Sequence, residues 1–436
     1  MTESTHRWRR GHVERALALL TDMQGAAAPA DKVMESFFRQ HKEMGSRDRG
    51  IVAEAVYAIL RRRRVLSVIA RGCDPAGNDT PTGLLAAYLV SEAGQSLVDL
   101  ESWGFAIKFD RLHEQAQKIA TADLPFAVRA NLPDWLAKQM CADFGEAEAL
   151  LLANALNGAA PLDIRVNAVK TNRAEAQASL QAEGFEFLPT PYSPVGLRRT
   201  NRAPVFHTTA FKNGWFEVQD EGSQLIAALV NPKRRAVIAD YCAGGGGKTL
   251  HLGALMQNTG TLYAMDIHDH RLKRLRPRVI RAGLDNVQTV ALAPDNRAQV
   301  ESLRGRCDGV LVDSPCSGTG TLRRNPDIKW RAIDLPTLNR QQLEILTAAA
   351  ELVRAGGVLV YATCSILRCE NEQIVEQFLA AHDDFRLVSP KPTLDRESVA
   401  QTDACLRGDY LAMLPHTHGT DGFFGARMEK IAAKKA

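Results

Sequence analysis

The sequence predicts a helical amino-terminal region, a small α+β module and a carboxy-terminal α/β domain built on a parallel sheet. Three observations carry this reading. Up to about residue 125, apolar residues recur at helical spacing and little alternates with period two. Residues 126–230 combine an alternating strand with a short helix. From 231 to 436, strand-like and helix-like segments take turns, the pattern of a parallel sheet with helical crossovers.

In the first region, Val13, Ala16, Leu17 and Leu20 form one apolar stripe, and Val52, Ala55, Val56, Ile59 and Leu60 form another. Gly72 to Pro81 reads as a loop between helices. In the second, Leu162 to Asn167 alternates like a half-buried strand, Arg173 to Glu183 reads as a helix ended by Gly184, and Phe185 to Phe187 as another strand. In the third, the predicted strands are Ala236–Asp240, Thr261–Asp266, Val287–Leu292, Gly309–Asp313 and Val358–Tyr361. Helices are expected over Leu335–Arg354 and Glu370–His382, and two late strands over Tyr410–Leu414 and Phe423–Met428.

Composition narrows the function classes. A chain of 436 residues is expected to form two or three domains. Its 45% hydrophobic and 24% charged content is that of a folded soluble protein. No apolar run approaches the roughly 20 residues of a membrane span, and the first residues lack the apolar core of a secretory signal. The expectation is a cytoplasmic monomer with no membrane partner. Eight cysteines over this length do not form a disulfide framework, and no zinc-ligand spacing is present, so no metal is expected. The net charge of +4 permits an anionic partner. Basic clusters at Arg7/Arg9/Arg10, Arg61–Arg64, Lys233–Arg235, Arg271–Arg281 and Arg323/Arg324 favour nucleic acid, although each alone is what a solvated helix face carries.

Two cysteines sit where a parallel sheet binds ligands. Cys316 follows Val310-Leu311-Val312-Asp313-Ser314-Pro315, and Cys364 follows Val358-Leu359-Val360-Tyr361-Ala362-Thr363. A thiolate at either place can attack an electrophilic carbon, and Asp313 stands beside the first as a proton carrier. Residue context does not rank the two thiols. Cys73, Cys141, Cys307, Cys369 and Cys405 read as buried structural thiols.

A glycine-rich turn, Asp240-Tyr241-Cys242-Ala243-Gly244-Gly245-Gly246-Gly247-Lys248-Thr249, follows the first strand. Nucleoside triphosphates, dinucleotides and S-adenosylmethionine all use such a turn. A P-loop is excluded because the position five before Gly247 is Cys242, not glycine. Asp266, ending the second strand, is placed for a ribose diol, and Asp295, after the third, for an adenine edge. A single strand-end aspartate reads best as a helix cap. Four of them, Asp240, Asp266, Asp295 and Asp313, point to one shared ligand.

These motifs resemble the RNA (cytosine-5)-methyltransferases, most closely the bacterial ribosomal RNA branch. The family forms Asp-x-Cys-Ala-Ala-Pro-Gly-Gly-Lys-Thr, Asp-x-Pro-Cys-Ser-Gly and Tyr-x-Thr-Cys-Ser are matched by Asp240–Thr249, Asp313–Gly318 and Tyr361–Ser365. Arg324-Asn325-Pro326-Asp327-Ile328-Lys329-Trp330, Glu370-Asn371-Glu372 and Asp421-Gly422-Phe423-Phe424 are similar too. One departure is that Gly244 and Gly245 replace Ala-Pro, which frees a φ angle that proline would fix. The helical start, with Gly45-Ser46-Arg47-Asp48-Arg49 and Arg61, resembles the NusB-like domain of the ribosomal RNA enzymes.

The resemblance implies a Rossmann-like class I S-adenosylmethionine-dependent methyltransferase domain over 231–436, an RRM-like module over 126–230 and a NusB-like RNA-binding domain over 1–125. It implies Cys364 as nucleophile, Asp313 as the acid at the base, and Cys316 as the group that assists elimination and release. Cys242, Ala243, Gly244, Gly245, Gly246, Gly247, Lys248, Asp266, Asp295 and Asp313 are expected around S-adenosylmethionine. Arg323, Arg324 and Lys329 are expected on RNA phosphates. The expected product is 5-methylcytosine in small-subunit ribosomal RNA, with transfer RNA the alternative substrate. A noncatalytic ribosome-assembly factor is the rival from another class, and it would require a degraded nucleophile or cofactor loop.

Overall fold

A computed structural model describes residues 8–26, 28–77, 79–200, 203–293 and 297–431. The chain divides into two compact units, Met1–Gly158 with Leu322–Ala332, and Ala159–Thr321 with Ile333–Ala436.

The first unit is helical. Helices over Arg10–Met23, Ala30–Gln40, Ser46–Ala70, Pro81–Ser91 and Phe109–Thr121 bury the stripes seen in the sequence, with Val52, Ala55, Val56 and Ile59 in the core. Thr80 caps the helix that Pro81 opens, its hydroxyl accepting from Gly83 N at 3.0 Å. The helical run passes the expected boundary at 125, because the helices Asp134–Phe144 and Glu146–Leu156 also cluster with this unit. The unit also takes in a late segment: the chain leaves the second unit after Thr321 and returns at Ile333.

The second unit holds two sheets. The smaller one contains β1 (Leu162–Val166), β2 (Leu188–Pro189), β3 (Gly196–Arg199) and β4 (Phe216–Val218), antiparallel in the order β2-β3-β1-β4. The helix Arg173–Ala182 follows β1, capped by the Asn172 side chain. Phe185–Phe187 is not a strand. Its backbone stays with the preceding helix, Phe185 N donating to Leu180 O at 2.9 Å, and the strand begins at Leu188.

The larger sheet has, among the described residues, β5 (Val237–Asp240), β6 (Thr261–Asp266), β7 (Val287–Ala291), β8 (Cys307–Asp313), β9 (Val353–Thr363), β10 (Phe385–Leu387), β11 (Leu406–Arg407), β12 (Tyr410–Met413) and β13 (Phe423–Lys430). Its order is β11-β12-β13-β9-β8-β5-β6-β7, with β10 paired to β13. Strands β7, β6, β5, β8 and β9 are parallel, and β13 runs antiparallel beside β9. This is a Rossmann-like architecture, as the sequence predicts for residues 231–436.

Both faces of this sheet are covered, which explains why its strands read as unbroken apolar runs. Ile238, Leu311, Val360 and Ala362 enter one core with the helix Glu221–Val230. Ala239, Val310, Val312, Leu359 and Tyr361 enter the other, with the helices Leu335–Ala350 and Glu372–Ala381. The helix before β9 stops at Ala350, short of the expected Arg354, because Val353 already pairs with Cys307. Strand β5 lies between β6 and β8, so chain connections diverge at its carboxyl end and open a crevice there. Among the described residues, no helix is long and apolar enough to cross a membrane.

Candidate active site

The glycine-rich turn leaves β5 at that crevice. Tyr241 N donates to Leu311 O and Ala243 N to Met265 O, both at 2.8 Å, so each flanking strand holds one end of the turn. Gly244 and Gly246 take φ of +53° and +83°, conformations natural to glycine. A Cβ on Gly246 would lie 2.1 Å from Leu275 Cδ1, so the turn packs directly on the helix that follows β6, Asp269–Ala282.

The strand-end aspartates fold into this turn. Asp240 is fully buried; its Oδ2 accepts from Thr249 Oγ1 at 2.6 Å, while Oδ1 has no partner. Burial pushes its pKa up to about 7, against the Thr249 hydrogen bond and with help from Asp313. Asp266 accepts from Gly244 N at 2.9 Å and from His268 N at 2.8 Å. Asp313 accepts from Lys248 Nζ at 2.7 Å. Burial opposes the Lys248 charge, but Asp313, Cys364 and Asp240 outweigh it and raise the ammonium's pKa. Asp295 lies outside the described residues.

Two further charged side chains brace the turn from behind. Arg165, on β1 and 1% exposed, donates to Gly247 O at 2.7 Å and to Gln219 Oε1. Arg278 donates to Gly245 O and, at 2.9 Å, to Glu217 on β4. Glu217 also pairs with Arg281. The small sheet thus contributes directly to the shape of the glycine-rich turn. Sequence reading missed Arg165 and Glu217, whose only signal is a charge within a short buried strand, and it placed Arg278 and Arg281 in a basic cluster favouring nucleic acid.

Beside this turn the two cysteines meet. Cys316 Sγ and Cys364 Sγ are 3.5 Å apart, and both residues are partly exposed. Their loops are joined by backbone: Ser314 N donates to Ala362 O at 2.8 Å and Gly320 N to Cys364 O at 2.9 Å. The Cys316 thiol is pushed well above its ordinary pKa, first by its hydrogen bond with Cys364 and then by burial. Lys248 Nζ also stands 5.3 Å from the Phe423 ring centroid, so the carboxy-terminal motif borders the same group. Of the remaining thiols, Cys73, Cys307 and Cys405 are buried as expected, whereas Cys141 and Cys369 are partly exposed.

The expected RNA contacts need correction. Lys329 is completely buried in the helical unit, donating to Arg61 O, Asn131 O and Asn157 Oδ1 at 2.8, 2.8 and 2.6 Å. With three oxygens around it, its ammonium is a structural tie and not a phosphate contact. Trp330 adds an indole hydrogen bond to Leu60 O at 2.7 Å. Arg323 is buried as well, its carbonyl accepting from Arg61, and Arg324 is half-buried. Arg7, in the first basic cluster, lies outside the described residues.

A Rossmann-like sheet with a glycine-rich turn and paired thiols at one crevice defines a methyltransferase-type site. A family model described as 16S rRNA methyltransferase RsmB/F matches residues 227–429, and a ferredoxin-like domain model of the same group matches 132–206. A probable ribosomal RNA small subunit methyltransferase B of Synechocystis is 32% identical, over 95% of this chain and 98% of its own. One of Bacillus subtilis is 33% identical, over 74% of this chain and 70% of its own. The structure titled NSun6 from Pyrococcus horikoshii with SFG shares the fold, with a TM-score of 0.61 at 23% identity, covering 69% of this chain and 99% of that one. The chain belongs to the RsmB/F family of RNA (cytosine-5)-methyltransferases and is an enzyme of that class.

Proposed function

We propose that this enzyme forms 5-methylcytosine in 16S ribosomal RNA through a covalent adduct between Cys364 and the target base. The observation that carries the reading is the 3.5 Å approach of the two thiols beside the Lys248–Asp313 pair. The relatives named for the small-subunit ribosomal RNA support the substrate.

Ring carbon five of cytosine becomes nucleophilic only after a thiolate adds to carbon six. Cys364 makes that addition, and the neighbouring Lys248 ammonium stabilises its thiolate. Asp313, in its protonated form, donates its proton to ring nitrogen three as the thiolate adds and takes it back once carbon five has been methylated, so no charge builds on the ring. S-adenosylmethionine, when bound, supplies the methyl group for carbon five. The turn suits such a cofactor: Asp240 Oδ1 is a buried acceptor with no partner, and Asp266 has lone pairs left after two backbone bonds. Cys242 to Lys248 and Asp266 would hold it.

Cys316 acts after transfer. At rest it carries a proton, held there chiefly by Cys364. Once the Cys364 sulfur is a thioether, the largest part of that hold is removed while burial and Glu370 remain; Cys316 passes its proton to solvent, and its thiolate takes the proton from carbon five. The electrons of that C–H bond re-form the ring double bond as the Cys364–carbon six bond breaks. The target must be single-stranded or turned out of its helix, because attack comes on the ring face.

The test is methyl transfer from labelled S-adenosylmethionine to 16S RNA, with the modified base mapped by bisulfite sequencing. Cys364→Ala is expected to lose transfer. Transfer at the wild-type rate by that variant, or a modified base found only in transfer RNA, overturns the proposal.

A further inference from the structure

A carboxylate that the reaction scheme leaves unused ties the two cysteine loops together. Glu370 is completely buried in a short helical turn six residues after Cys364. Its Oε1 accepts from Ser317 N at 2.7 Å and from Gln342 Nε2 at 3.0 Å. Its Oε2 accepts from the hydroxyls of both Ser317 and Ser365, each at 2.5 Å. Ser317 follows Cys316 in the chain and Ser365 follows Cys364. One carboxylate therefore grips the equivalent position in both loops.

The grip is saturated and stiff. An ionised carboxylate accepts about four hydrogen bonds, and Glu370 receives four. Thr319 closes the cluster: its hydroxyl stands 3.1 Å from Ser317 Oγ and 3.0 Å from Ser365 Oγ. The main chain of Glu370 is fixed as well, its carbonyl accepting from Tyr361 OH at 2.7 Å. Burying a charge is costly unless its hydrogen bonds are made, so leaving any of these donors or the carboxylate unmatched would disturb both loops.

We propose that Glu370 is a positioning residue for methyl transfer, holding the Cys316 and Cys364 loops in register through Ser317 and Ser365 and so fixing the spacing of the two thiols. This rests on the assignment of Cys364 and Cys316 above. The carboxylate has a second effect, on the resting state of Cys316. Glu370 is among the groups that raise the pKa of Cys316, after Cys364 and burial, and so favours the protonated thiol in the resting enzyme.

The test uses the full-length enzyme, first without RNA or cofactor. Phenylarsine oxide condenses with two thiols, losing water, only when both sulfurs can reach one arsenic atom. Wild type is expected to capture it, and Cys364→Ala is expected not to. Glu370→Gln is expected to capture it at least about ten-fold more weakly while circular dichroism stays unchanged. The pH midpoint for iodoacetamide alkylation of Cys316 is expected to fall in that variant. In turnover, kcat is expected to drop about 100-fold with the KM for RNA little changed, the scale of an ångström-level misplacement. Should Glu370→Gln fail to fold, the Ser317→Ala/Ser365→Ala double variant replaces it, and weaker arsenical capture is expected there too. A folded variant with wild-type capture, alkylation profile and kcat overturns the positioning role. If capture depends on Glu370 but Cys364→Ala still methylates RNA, the clamp stands as a spacing device and the assignment of Cys364 falls instead.

Discussion

The cofactor turn and the cysteine loops lie at the carboxyl ends of neighbouring strands, yet they are held in different ways. The turn carries four glycines in a row and is braced from behind by long charged side chains, Arg165 and Arg278, that reach its carbonyls. The cysteine loops are pinned from within by Glu370, by two serines and by close backbone contact. The difference matches what each must do. A turn that admits a ligand can be shaped from outside the crevice, as the two arginines do through its carbonyls while strand backbone and Asp266 take Ala243 N and Gly244 N. Two thiols that act in sequence on one base must keep a fixed separation.

The largest expected effect is on the cysteine side. A Cβ on Gly320 would lie 2.3 Å from Gly422 O and 2.8 Å from Cys364 O, both backbone atoms that cannot step aside. Gly320→Ala is therefore expected to cut kcat by about 100-fold, measured in single-turnover methylation. Near-wild-type activity would show that these loops are not held by backbone contact.

On the cofactor side, Arg165→Met removes the brace to Gly247 O and strands the Gln219 acceptor. Stability is expected to fall by about 1–3 kcal/mol in urea titration, with weaker cofactor binding by calorimetry and unchanged arsenical capture by the cysteines. Loss of capture would mean that the two regions are one coupled unit.

A smaller effect concerns pH. The raised pKa of Asp240 means that the folded enzyme binds a proton that the unfolded chain has released between its ordinary 3.8 and about 7. That contribution to stability is fully present below pH 3.8 and is lost as pH rises towards 7. Asp240→Asn is expected to flatten the decline of melting temperature across this window. An unchanged slope would place the titration elsewhere.

How far the sequence reveals the site follows from the range of the interactions. The strands β5, β6 and β8 and the second half of β9 are legible because both faces are largely buried and their residues run apolar, whereas the edge strand β7 carries an exposed Gln288. The positions of Cys316, Cys364, Asp240, Asp266 and Asp313 follow from those strand ends. The partners of these groups do not, since Arg165 lies 82 residues from Gly247 and Glu370 lies 53 from Ser317. Glu370 shows in the sequence as part of Glu370-Asn371-Glu372, similar to the family, but nothing local tells which groups its carboxylate binds. Lys329 misleads for a related reason. Its neighbours Arg323 and Arg324 suggest a basic surface, whereas the segment containing it is packed into the helical unit.

The account rests on unequal roles for two thiols in contact. The most direct measurement incubates Cys316→Ala with 16S RNA and S-adenosylmethionine and resolves protein-linked RNA on a denaturing gel. The account predicts a stable adduct mapping to Cys364, absent from the Cys316→Ala/Cys364→Ala double variant. An adduct that persists in the double variant, or Cys316→Ala turning over at the wild-type rate without one, would contradict it.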